Sequence, residues 1–83
     1  MRIYMQSANY SDGAPKYLQL VLQQELLGGW SLVVESGRQG GRGRVKREDF
    51  ETYDQAMEAL MKMRDSHVGK GFRVVFFQGE MQE

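Results

Sequence analysis

The chain is 83 residues long, 41% hydrophobic and 27% charged, with eleven basic and eleven acidic residues, a formal net charge of zero and no cysteine. A chain this short buries only about 60% of its unfolded surface, so one domain spanning residues 1–83 with a thin core is expected, and a deep enclosed pocket is not. The composition is that of a globular domain, and the apolar runs Leu18 to Leu22 and Val74 to Phe77 fall far short of the ~20 residues of a membrane helix. Met1 to Gln6 lacks the continuous apolar segment of a secretion signal, and secreted domains of this size usually carry disulfides, so a cytoplasmic location is expected.

In chain order, residues 2–6 form a short extended segment, and Ser7 to Pro15 collects turn-forming residues. Tyr17 to Gln23 places Leu18, Leu20 and Leu22 on one face and Gln19 and Gln23 on the other, the period of a half-buried strand. Gly28-Gly29 breaks the chain before Trp30 to Glu35, where Trp30, Leu32 and Val34 share a face and predict a second strand antiparallel to the first. Trp30 is read as packing in the core or on the sheet face. Ser36 to Gly43 follows as an exposed, glycine-rich loop, and Arg44 to Phe50 is read as an exposed strand leaving it.

Thr52 and Gln55 stand at capping-box spacing, in which each side chain satisfies the other's free backbone N–H. Beyond them Ala56, Ala59, Leu60, Met63 and His67 recur on one helical face, while Asp54, Glu58, Lys62 and Asp65 fall on the other. Gly69-Lys70-Gly71 ends the helix, because glycine takes the left-handed conformation readily. Phe72 to Gln78 is the last strand. With Val74 and Phe76 on one face and Val75 and Phe77 on the other, it is expected either to lie centrally or to be covered on both faces. The tail from Gly79 is expected to fray. The fold class is therefore α+β, an antiparallel sheet of four to five strands with one helix on one face.

Four of the ten glycines and five of the eleven basic residues lie between Ser36 and Phe50. Arg38, Arg42, Arg44, Lys46 and Arg47 have no acid among them, a local excess suited to a negative partner. The plain alternative is a solvated hairpin tip balanced by Glu48, Asp49 and Glu51. The glycine spacing fits neither a dinucleotide motif nor a phosphate loop, and turn geometry accounts for it. One histidine, no cysteine and no convergent carboxylates give catalysis and metal binding little to stand on. His67 reads as a packing or helix-end residue, so neither an enzyme nor a cofactor is expected.

Taken in order, the Tyr17 to Gln23 strand, the Trp30-led strand, Gly37-Arg38, Gly40, Gly43, the basic strand ending at Phe50, the Thr52-capped helix and Lys70-Gly71-Phe72 resemble the WGR domain. That family is named for a Trp-Gly-Arg triplet and occurs in poly(ADP-ribose) polymerases and small bacterial proteins. The resemblance covers about residues 16–75. It implies a sheet with one helix and a nucleic-acid-binding role, with Gly37 and Arg38 carried over. Ser36 stands where the tryptophan belongs, which removes an aromatic platform worth ~1 to 3 kcal/mol of stacking. Two readings follow. In the first, Arg38, Arg42, Arg44, Lys46 and Arg47 neutralise the phosphates of a DNA backbone or end while Gly37 and its neighbours admit close approach. In the second, the same loop docks an acidic protein partner, or the last strand with Met57 and Met61 mediates assembly.

Overall fold

The computed structural model describes residues 1–7 and 13–79. Most of the expected turn between Ser7 and Pro15, and the expected fraying beyond Gly79, lie outside the described residues. The elements are β1 (Arg2–Ser7), β2 (Lys16–Gln24), β3 (Trp30–Arg38), β4 (Arg44–Phe50), α1 (Tyr53–Gly69) and β5 (Phe72–Gln78). The five strands form one antiparallel sheet in the order β4-β3-β2-β1-β5, and α1 crosses one face between its two edges.

Alternation in the sequence decides which face the helix covers. Ile3 and Met5 from β1, Leu18, Leu20 and Leu22 from β2 and Leu32 from β3 point to it and are buried with Ala56 and Leu60 of α1. This is the expected helix stripe, with Ala59 and Met63 packed partly buried at its margins. Asp54, Glu58, Lys62 and Asp65 are exposed on the opposite arc. The capping box forms as the sequence predicts: Gln55 donates its backbone N–H to the Thr52 hydroxyl at 3.1 Å, and Thr52 donates its own to the Gln55 side chain at 3.3 Å. The helix stops at Lys70, and Gly71 turns the chain into β5 with φ of 96°, a conformation that a Cβ would strain. Trp30 meets Tyr53 edge to face at 4.9 Å and packs against the core margin, so it is a sheet-face residue.

Two expectations change. β5 is not central; it is an edge strand paired only with β1 among the described strands. Its Val74, Val75, Phe76 and Phe77 are 45–58% exposed. A sequence apolar on both faces gives no information about strand order, which long-range pairing sets. Val75 also sits at a register shift opposite Tyr4/Met5, the kind of bulge that ends regular alternation. Second, β3 is longer than expected, because Ser36, Gly37 and Arg38 pair with Leu18, Tyr17 and Lys16. The loop proper is residues 39–43.

Candidate nucleic-acid interface

The β2–β3 register fixes the first contacts of the candidate site. Lys16 is placed opposite Arg38 and Leu18 opposite Ser36, and Ser36 in turn lies opposite Arg44 of β4. Ser36 and Arg44 therefore share the helix-covered face of the sheet, but at the end where α1 finishes. The last turn of α1 and the start of β5 add His67, Lys70 and Phe72. Together these residues line an open groove of about 740 Å³ with Tyr17, Gly37, Gly41 and Arg42.

Five cations, Lys16, Arg38, Arg42, Arg44 and Lys70, thus converge from three separated stretches of chain, and among the described residues no carboxylate lines the groove. Among the described residues, none of Lys16, Arg42, Arg44 and Lys70 is ion-paired. Arg38 is anchored, its Nη1 donating to the Ala14 carbonyl at 3.3 Å. An open groove lined by several cations concentrates anions, phosphates above all.

The loop that carries Arg42 is held by its base. Gln39 donates its backbone N–H to the Pro15 carbonyl at 2.9 Å and its side-chain amide to the Tyr4 hydroxyl. Gly41 closes a turn onto the Arg38 carbonyl at 2.9 Å. Turn geometry was the expected reason for the glycines, and it holds at Gly40, with φ of 80°. Gly43 has a different reason. A Cβ there would collide with the Tyr17 hydroxyl and lie 2.8 Å from Glu35 Oε2. Tyr17 donates its hydroxyl to that same Glu35 oxygen at 2.9 Å, and this bond, with burial adding to it, holds the phenol pKa above its ordinary value. Gly43 is therefore small so that the loop can close over a fixed Tyr17–Glu35 pair, with Tyr4 stacked beside Tyr17 at 6.0 Å.

Of the residues singled out from the sequence, Gly37, Arg38, Arg42 and Arg44 line the groove, and Lys46 and Arg47 do not. Lys46 lies opposite Val34, farther along the helix-covered face beside Met63. Arg47 lies opposite Val33 on the other face, where it binds Asp49 at 3.0 Å and Glu25 at 3.4 Å. Its hydrogen bond to Asp49, with the nearby Glu25 charge, raises its pKa further. Lys16, His67 and Lys70 are groove residues that the run of basic residues did not reveal. Lys16 was accessible through the hairpin register and Lys70 through the Lys70-Gly71-Phe72 element.

Searches of curated proteins and of solved structures return no match. The WGR domain family model matches residues 1–77, nearly the whole chain, and the five-stranded sheet with one helix is the architecture expected of it. The chain belongs to the WGR domain family.

Proposed function

We propose that this chain is a non-enzymatic nucleic-acid-binding module that contacts the backbone or ends of DNA through the groove at the end of β3. The observation that carries the reading is the convergence of Lys16, Arg38, Arg42, Arg44 and Lys70 on one open groove in which, among the described residues, no carboxylate takes part. The family's general association with nucleic-acid binding supports it. The groove offers point charges and forked guanidinium donors, which bind phosphates without reading bases, so binding is weak and indifferent to sequence. Lys46 flanks the groove, whereas Arg47, already neutralised by two acids, contributes little. Ser36 in the groove wall leaves it without the aromatic platform that the family's tryptophan would supply. The test is an anisotropy titration with short duplex, nicked and single-stranded DNA at ~50 mM salt, where even nonspecific phosphate contacts are strong. Saturable duplex binding that weakens in Arg42→Ala/Arg44→Ala is the expected result, and its absence in the wild type overturns the proposal.

One observation favours a second reading, assembly through β5. That edge strand carries a single charge, Arg73, and four half-exposed apolar side chains, whereas the opposite edge, β4, carries five charges in seven residues. Unguarded apolar edges invite strand pairing. Antiparallel pairing of two β5 strands about Val75 sets Arg73 against Phe77 and brings no like charges together. Sedimentation velocity across a range of concentrations tests this, with Val75→Lys expected to abolish any dimer.

A further inference from the structure

Two uncharged titratable side chains line the groove, and of these the Tyr17 phenol is committed to Glu35 at 2.9 Å whereas the binding proposal gives His67 no role. Its Nδ1 stands 3.0 Å from the Met63 carbonyl oxygen, and its ring meets Phe72 edge to face with centroids 4.9 Å apart. A carbonyl oxygen only accepts, so Nδ1 carries the proton of the neutral ring and Nε2 is left as an acceptor. Among the described residues Nε2 has no hydrogen-bond partner. The ring is thus held in place on one side by its own helix and buttressed by β5, while it lines a groove built for anions.

Among the described residues the charged groups that line this groove with His67 are all cations: Lys16 from β2, Arg38 from β3, Arg42 from the loop, Arg44 from β4 and Lys70 from the helix end. A phosphate bound among these cations accepts a charge-assisted hydrogen bond from a protonated Nε2. The neutral ring, by contrast, turns a lone pair toward the phosphate oxygens. Proton uptake and phosphate binding therefore strengthen one another, as linkage requires.

We infer that His67 is a proton-linked phosphate ligand, so that nucleic acid binding at this groove recruits a proton onto Nε2 and tightens as pH falls through the range where imidazole titrates. This inference rests on the nucleic-acid reading. The Met1 α-amino group, another titrating cation, donates to the Leu22 carbonyl at 3.2 Å near the far end of the sheet and does not face the groove.

The test compares affinities at about pH 8 and about pH 5.5, a span that brackets imidazole ionisation, at constant ionic strength. The probe is a short DNA duplex with 5′-hydroxyl ends, so that no terminal phosphate monoester titrates. Wild type is expected to tighten by about five- to tenfold at the lower pH, since one pKa unit of linkage is a tenfold change. His67→Gln is expected to change by less than about twofold, and His67→Lys to bind tightly at both values because its charge is permanent. A His67→Gln protein that tightens as much as wild type overturns the inference. So does a wild type that binds equally at both values, and that result leaves the nucleic-acid reading standing. A wild type that binds at neither value removes both.

Discussion

The two ends of β3 treat charge and aromatic surface in opposite ways. At the Trp30 end, Trp30 packs on Tyr53, Arg47 is bound by Glu25 and Asp49, and Glu48, Glu51 and Glu58 gather in the adjoining cleft at the start of α1. At the Ser36 end, a serine takes the aromatic position, and five cations line one groove beside the end of α1 with no acid among its described residues. The zero net charge of the chain therefore conceals a separation, acidic at the helix N-terminus and basic at its C-terminus, which is also the arrangement that the helix dipole favours. A basic residue therefore contributes to a binding surface through its surroundings. Arg44 and Arg47, three positions apart on one strand, lie in an open groove and in a closed ion-pair cluster respectively.

The largest expected effect falls on the core that both ends share. Leu60 is fully buried against the sheet, and Leu60→Ala should cost ~2 to 5 kcal/mol, enough to threaten a domain with so thin a core. Chemical denaturation within about half a kcal/mol of wild type would mean that α1 does not hold the two ends together as described.

A sharper test carries the aromatic from one end to the other. Ser36→Trp places an indole in the groove wall, and if it stacks on a DNA end it should regain ~1 to 3 kcal/mol. Binding to a blunt duplex end should then tighten about tenfold, with a smaller gain on a closed hairpin whose end is blocked. Equal affinity of Ser36→Trp and wild type for the blunt end would show that the groove does not meet the terminal base pair.

The smallest effect belongs to the closed end. The hydrogen bond from the Ser31 hydroxyl holds the Glu25 carboxyl below the usual glutamate range, and Arg47 adds to it against the opposing effect of burial. A carboxyl with a depressed folded pKa stabilises the fold at neutral pH and loses that contribution as pH falls through its folded value. Wild type should therefore lose stability between about pH 5 and pH 3 more steeply than Glu25→Gln, since unperturbed glutamate ionises near ~4.3. Identical acid profiles in urea unfolding would remove Glu25 from the account of how Arg47 is neutralised.

Much of the fold was legible because its determinants are local. Leu18, Leu20 and Leu22 alternate within one strand, and Thr52 and Gln55 cap the helix within a single turn, so neighbouring residues suffice to find both. The place of β5 was not legible, because the sequence of Phe72 to Gln78 is the same whether β1 lies on one side of it or a strand on each. The site was half legible for a related reason. Arg38, Arg42 and Arg44 are near neighbours in sequence, but the groove also depends on Lys16, His67 and Lys70, which the hairpin register and the helix length bring to them. Sequence proximity likewise overstated Arg47, whose acid Glu25 arrives from the turn after β2.

The salt dependence of duplex binding tests the central claim most directly, measured for wild type, Arg42→Ala/Arg44→Ala and Arg47→Ala. Three to five neutralised phosphates predict a slope of log K against log salt of about −3 to −4.5, from roughly −0.9 per contact. Loss of both groove arginines should flatten it by about 1.8 on the same scale, while Arg47→Ala leaves it unchanged. A wild-type slope near zero, or an Arg47→Ala slope as flat as that of the double variant, would contradict the assignment of binding to the open end of β3.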